Sequence, residues 1–456
     1  MQSEPQGPVE NRRRARRALQ PARVIAIAFL SAIVIGALLL LLPISTTSEA
    51  QLDPLGALFT ATSAVCVTGL IVIDTGSGFT RFGQVVILAL IQIGGLGVLS
   101  LGSVLAFVVR RRISFRERLR LRAELNALQV GGVVRLLRGV LLFTFAFELI
   151  GTLLLWIRFW PLYGWSEGLY YAAFHAVSAF NNAGFALYPD SLIRFANDPF
   201  LLLTIAALFI IGGLGFLVFV NYAFYLAGLS SRLTLHARIV LLTSGALLLL
   251  GTILILLFEW NNSATLGTFS PAAKFVNAFF QAATPRTAGF NSLDYASMTE
   301  VSLFFTILLM FVGASPASTG GGIKTVTAFV VLLSAISEVR GKNELEVFGR
   351  RVPSNIVLKA GTVALFSFLF IAGALLVLAL TDPGLRFLDV AFEAFSAFGT
   401  VGLSTGITAQ LSDLGKLAII LLMYVGRLGP TTFALALVTQ EREDRVRYPA
   451  EEVIIG

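Results

Sequence analysis

The chain has 456 residues, of which 56% are hydrophobic and only 13% charged, with a formal net charge of +8. Soluble domains carry roughly 25% charged residues, so this composition excludes an ordinary soluble enzyme and points to a polytopic membrane protein. The net charge does not imply a nucleic-acid partner, because the arginines sit in clusters between apolar runs, at 12–23, 110–138 and 340–351, with smaller sets near 232–238 and 442–447. Placing every cluster on one side satisfies the positive-inside rule and makes that side the cytoplasm, with both termini there. The remaining connections carry Asp53, Asp74, Asp190, Asp198, Asp294, Asp382 and Asp413. Cys66 is the one cysteine, so no internal disulfide can form.

In chain order, residues 1–20 form a polar cytoplasmic tail. The first apolar run follows at 24–42 and reads as a retained helix rather than a cleaved signal. The chain then repeats one plan four times, over 21–125, 126–230, 231–340 and 341–440, and ends in a cytoplasmic tail at 441–456. Each unit holds a first apolar run (near 24–42, 136–156, 239–258 and 356–380) and a second (near 84–109, 200–226, 301–337 and 416–437). About 20 apolar residues cross a bilayer, so these are eight expected spans. A run of about 12 residues lies between them in each unit, too short to span. It must enter and leave from the outer face, with its tip lining a cavity or buried in protein.

Those short runs are copies of one another: FTATSAVCVTGL, FHAVSAFNNAGF, FFQAATPRTAGF and FEAFSAFGTVGL. A phenylalanine precedes a glycine by ten positions in each, as Phe59/Gly69, Phe174/Gly184, Phe279/Gly289 and Phe392/Gly402. Four like units imply four-fold pseudosymmetry about an axis. Glycine admits positive φ, so carbonyls there can turn toward the axis and replace the water around a monovalent cation. The candidate liners are Val67-Thr68-Gly69, Asn182-Ala183-Gly184, Thr287-Ala288-Gly289 and Thr400-Val401-Gly402. None of these triplets contains an acidic residue, which favours carbonyl dipoles over a charged ring.

The second runs carry further glycines: Gly94-Gly95-Leu96-Gly97, Gly212-Gly213-Leu214-Gly215, Gly313 with a longer break, and Gly426-Arg427-Leu428-Gly429-Pro430. Close helix packing through small residues is the expected role of the first two. The third differs. Gly313, Ser315, Pro316, Ser318, Thr319, Gly320, Gly321, Gly322 and Lys324 cannot lie in a continuous lipid-facing helix, so the loop at 313–325 belongs in a cavity. Lys324 and Arg427 each admit two accounts, a cationic barrier near the pore or a structural pairing with loop carbonyls.

The repeats, the glycine-rich break and the ending Arg447-Tyr448-Pro449 resemble the Trk/Ktr/HKT potassium transporter superfamily, and within it the KtrB-type membrane subunits. The resemblance covers residues 23–456. It implies an all-α membrane protein of four helix–pore loop–helix repeats around a central ion pore, in the bacterial cytoplasmic (inner) membrane. It implies potassium uptake through the four triplets, with Gly69 tied to preference for potassium over sodium. It also implies gating by the loop at 313–325, a homodimer with one pore per subunit, and a cytosolic KtrA-like nucleotide-binding regulatory ring. Residues 110–122 and the C-terminal region are the expected contacts of that ring. Membrane lipids are the other expected partners. No covalent cofactor is expected; potassium is the transported ligand, and sodium as an activator stays open. Pro285 and Arg286 depart from the simple filter pattern.

Two rival functions are weaker. An alternating-access secondary cation transporter with broken helices usually has two inverted repeats. A membrane-embedded enzyme needs a nucleophile–base pair or a metal cluster, and neither stands out. Gly320 to Thr325 fails as a phosphate loop, since Ile323 takes the glycine position before Lys324. His175 reads as a packed residue and His236 as a loop residue.

Overall fold

The computed structural model describes residues 21–48, 52–108, 133–228, 230, 232–342 and 344–437. The tails at 1–20 and 441–456, and the arginines at 110–122 expected to meet a regulatory ring, lie outside the described residues. Each unit opens on a long apolar helix: α1 (Pro21–Leu40), α4 (Val133–Tyr163), α8 (Leu235–Glu259) and α12 (Ser354–Thr381), with α2 (Pro54–Cys66), α5 (Trp165–Phe180), α9 (Pro271–Ala283) and α13 (Phe387–Gly399) as the short helices between spans. All four long helices contain stretches apolar enough to cross a membrane. The short helices start where the sequence supplies caps. Asp53 accepts from Gly56 N before Pro54, and Ser270 accepts from Ala273 N before Pro271; each satisfies an amide that the helix cannot.

The returning runs are not single straight spans. The first is α3 (Arg81–Val108), interrupted at Gly97 with φ 73° and ψ 158°. The second splits at Gly215 into α6 (Pro199–Leu214) and α7 (Phe216–Leu226), bent by 92°. The third splits into α10 (Glu300–Phe311) and α11 (Thr325–Val339), and the fourth at Gly429 into α14 (Asp413–Leu428) and α15 (Pro430–Leu437). Gly97, Gly215 and Gly429 all have positive φ, a backbone that glycine alone adopts without strain. The last glycine of each motif therefore breaks the helix, which corrects the expectation of packing alone at the first two.

Packing does explain the glycines just before the breaks. A β-carbon on Gly94 would overlap the Val65 carbonyl, one on Gly212 the Phe180 carbonyl, and one on Gly426 the Phe398 carbonyl. In the first, second and fourth units the returning helix is thus pressed against the C-terminal end of its own unit's short helix. The cores lie at the seams between units. One packs Phe29, Phe59, Ile87, Phe398 and Ile419 together, joining the first unit to the fourth. Tyr424 Oη donates to Ala26 O at 2.7 Å across the same seam. A second core joins units two and three through Phe159, Phe209 and Phe280. In the third unit Phe280, not Phe279, is fully buried, so the anchor stands one residue nearer the glycine there.

One element was not anticipated from sequence. Between α11 and α12 lies an antiparallel hairpin, β1 (Leu345–Val347) and β2 (Arg350–Val352). Two glycines make a contrasting test of packing. Gly426→Val forces a side chain into backbone and is expected to cost about 1–3 kcal/mol. Gly373→Ala, on the interior of α12 with open space around it, is expected to gain up to about 1 kcal/mol from helix propensity. Thermal melting of the two detergent-solubilised variants checks both signs.

Candidate functional site

Each short helix ends at the segment that sequence marked. Its C-terminal carbonyls carry a partial negative charge, and four such ends converge. The backbone beyond them alternates in hand. Val67, Asn182, Thr287 and Thr400 have φ of 56°, 59°, 74° and 50°, and Gly69, Gly184, Gly289 and Gly402 have φ of 96°, 70°, 79° and 92°. Thr68, Ala183, Ala288 and Val401, which stand between them, are not left-handed. This alternation turns successive carbonyls to one side. The left-handed state is expensive for β-branched Val67, Thr287 and Thr400, about 1–3 kcal/mol each.

The four glycines then meet in a closed cycle. A β-carbon on Gly69 would lie 2.5 Å from Ala183 O, one on Gly184 3.0 Å from Ala288 O, and one on Gly289 2.5 Å from Val401 O. One on Gly402 would overlap Thr68 O. Each glycine faces the carbonyl just before the glycine of the next unit, and the fourth returns to the first. The four glycines and the residues just before them are thus brought together.

Side chains behind the cycle hold it. Ser63 Oγ accepts from Gly69 N at 3.0 Å, and Ser396 Oγ from Gly402 N at 3.1 Å. In the other two units Ser178 Oγ donates to Phe185 O at 2.7 Å and Thr284 Oγ1 to Phe290 O at 2.6 Å. The residue after each buried phenylalanine is polar: Thr60, His175, Gln281 and Glu393, all buried. Three of these tie the short helix to the chain leaving the site. Leu187 N donates to His175 Nε2, Gln281 Nε2 to Leu293 O, and Ser404 Oγ to Glu393 at 2.8 Å. Arg286 does not reach the axis. It turns back to donate to Ser244 Oγ on α8 at 2.9 Å.

The segment between α10 and α11 lies directly against the cycle. Thr319 Oγ1 donates to Asn182 Oδ1 at 2.9 Å, and Gly321 N donates to Thr400 Oγ1 at 3.0 Å. A β-carbon on Gly320 would overlap Thr287 Oγ1, so the small residues permit this approach. The second and fourth units grip the segment. Ser315 N donates to Gly213 O at 3.0 Å, Gly322 N to Gly426 O at 3.3 Å and Gly313 N to Ile323 O at 2.8 Å. Arg427 donates to the carbonyls of both Thr319 and Gly94, joining the segment to the first unit. Lys324 Nζ donates to Gly320 O at 2.6 Å. Ser318 Oγ donates to Ser315 O, and Pro316 O faces Gly215. Both cations therefore donate to backbone carbonyls of the segment.

Sequence reasoning passed over the buried carboxylates Glu148, Glu259 and Glu393. Glu148, in the middle of α4, accepts from Asn181 Nδ2 at 2.8 Å, and that amide also meets Gln92 Oε1 at 3.0 Å. Asn181 directly precedes the triplet residue Asn182. A carboxylate inside an apolar run is itself a signal of function, and Glu148 could have been found on that ground.

Residues 8–447 match the family described as TrkH, Cation transport protein. The chain belongs to that family. It is 44% identical to Ktr system potassium uptake protein B of Bacillus subtilis (strain 168), over 96% of this chain and 97% of the relative. It is 40% identical to the protein of the same name from Vibrio alginolyticus, over 95% and 94% of the two chains. Potassium/sodium uptake protein NtpJ of Enterococcus hirae is 38% identical over 98% and 99%. The fold is that of the crystallised potassium transporter TrkH from Vibrio parahaemolyticus, with a TM-score of 0.74 over 92% of this chain and 86% of that one, at 18% identity. The protein is thus a transport protein rather than an enzyme.

The loop's attachment gives a test on this transporter. Thr400→Val removes the acceptor of Gly321 N and orphans a buried donor, a loss of about 1–3 kcal/mol. Amide hydrogen exchange over residues 313–325 is expected to quicken, while exchange in α8 and α12 stays at the wild-type rate.

Proposed function

We infer that this protein is a potassium uptake transporter, with Val67, Thr68, Gly69, Asn182, Ala183, Gly184, Thr287, Ala288, Gly289, Thr400, Val401 and Gly402 forming its selectivity filter. The observation that carries the reading is the closed cycle in which each axial glycine faces a carbonyl of the next unit. Carbonyl dipoles can replace the hydration shell of a monovalent cation, and the helix C-termini behind them favour positive charge. The membrane potential contributes about 2.3 kcal/mol per charge per 100 mV, so uptake needs no ATPase of its own. The relatives' names, which specify potassium uptake, support the choice of ion.

In this reading the segment at 313–325 is the gate. What supports this is that its hydrogen bonds to Asn182 and Thr400 set it directly beside the triplets. Lys324 and Arg427 add positive charge to that barrier. Two relatives are named as protein B of a Ktr system, and a partner subunit follows from that naming. Its finer form is a cytosolic nucleotide-binding ring acting on a homodimer in the inner membrane, with termini inside. Sodium's part as an activator is read from the same flux assay with and without sodium.

Two variants test the proposal in proteoliposomes by rubidium uptake. Gly69→Ser places a side chain against Ala183 O and is expected to reduce discrimination against sodium by roughly tenfold, equal to about 1.4 kcal/mol of differential binding. Unchanged sodium competition at normal expression removes Gly69 from the filter. Shortening residues 314–321 is expected to raise flux and to loosen its dependence on the partner. A well-folded deletion with wild-type flux in both conditions overturns the gate.

A further inference from the structure

A second basic feature lies away from the axis. The connection between α7 and α8 and the β1–β2 hairpin enclose a cleft of about 110 Å³ lined by Arg232, Leu235, Arg238, Phe348, Gly349 and Arg350. Among the described residues none of these three arginines has a carboxylate in ion-pair range, whereas the next residue, Arg351, pairs with Glu344 at 2.7 Å. Three cations converging without an anion repel one another, and an anionic ligand relieves that.

The hairpin tip gives an independent indication. Val347 pairs with Arg350, so Phe348 and Gly349 are a two-residue turn, and both have positive φ, 51° and 70°. Such turns favour Asn, Asp or Gly at the first position. A bulky aromatic there is a strained outlier of the kind found at functional sites. Burial does not offset the strain, because Phe348 is 50% exposed. Its ring centroid lies 6.0 Å from the Arg238 guanidinium carbon.

The cleft sits where two membrane-length helices begin, α8 at Leu235 and α12 at Ser354. Leu242, Ile356 and Leu358 expose apolar side chains along those helices. The cleft is therefore at headgroup depth on the arginine-bearing face. Aromatic rings and arginines at that depth are suited to phospholipid. We propose that Arg232, Arg238 and Arg350 bind the phosphate of an anionic phospholipid headgroup, with Phe348 against its glycerol and acyl region. A soluble phosphate uses the arginines but gives the exposed ring no role.

Native mass spectrometry of the full-length protein, titrated with short-chain phosphatidylglycerol, tests this. Phosphatidylcholine and inorganic phosphate are the other arms. Wild type is expected to retain phosphatidylglycerol in preference to phosphatidylcholine. Arg350→Ala, on the exposed hairpin, is expected to weaken that binding about fivefold, and the triple alanine variant about fivefold for each arginine removed. Arg351→Ala, on the same strand but paired with Glu344, is expected to bind as wild type does. Wild-type binding by Arg350→Ala and the triple variant overturns the proposal. So does an equal loss in Arg351→Ala, which marks a non-specific charge effect. Displacement of the lipid by equimolar inorganic phosphate overturns the lipid as ligand. A triple variant that keeps the lipid but no longer co-purifies with a cytosolic partner subunit assigns the cleft to protein contact and also overturns it.

Discussion

Four stretches of backbone meet at one axis with no room for a β-carbon, and the rest of the architecture serves that meeting. Each axial glycine lies against a carbonyl of the next unit, so displacing one strand displaces its neighbour in turn around the cycle. Such contact needs a rigid support, because close-packed surfaces transmit small shifts. The short helices supply it. They bury their axial faces completely, and Ser63, Ser178, Thr284 and Ser396 fasten the chain to them just before it leaves the axis. The left-handed Val67, Thr287 and Thr400 are the conformational cost of presenting carbonyls inward, and the packed seams between units hold them there.

The same demand for close approach shapes the returning helices. To support the short helices from behind, they must come within backbone distance of the last carbonyls, and Gly94, Gly212 and Gly426 permit this. Just beyond, Gly97, Gly215 and Gly429 turn the chain through positive φ. A broken helix exposes unpaired carbonyls and amides, which inside a membrane must be satisfied by protein. Arg427 and Lys324 do this for Thr319, Gly94 and Gly320. Asymmetry thus enters a four-fold frame through one long break in the third unit and the cation from the fourth that secures it.

The frame was legible in the residues because its signals are local or periodic. Apolar runs of membrane length gave the four long helices, and the phenylalanine–glycine spacing identified the four segments that meet at the axis. Pro316 with Gly320, Gly321 and Gly322 marked the break in the third returning run. These follow from chemistry that any window of sequence carries: hydropathy, helix-breaking and the freedom of glycine. The breaks at Gly97 and Gly215 were less legible, since a glycine in an apolar run serves packing and kinking equally well. The β1–β2 hairpin escaped notice because its strands are three residues each and its turn carries Phe348 where a turn residue was expected.

By itself the sequence determined that the protein is a four-fold membrane repeat with glycines at equivalent places, because composition and spacing belong to the chain alone. Only the tertiary structure decided what those glycines face. That Gly402 closes onto Thr68, that Arg427 reaches Gly94 and that Asn181 brings Glu148 beside the second triplet are contacts across hundreds or tens of residues. No local propensity encodes such pairs. They are selected when packed seams bring the units together, and a buried donor or acceptor then has to find its partner wherever the fold has placed one.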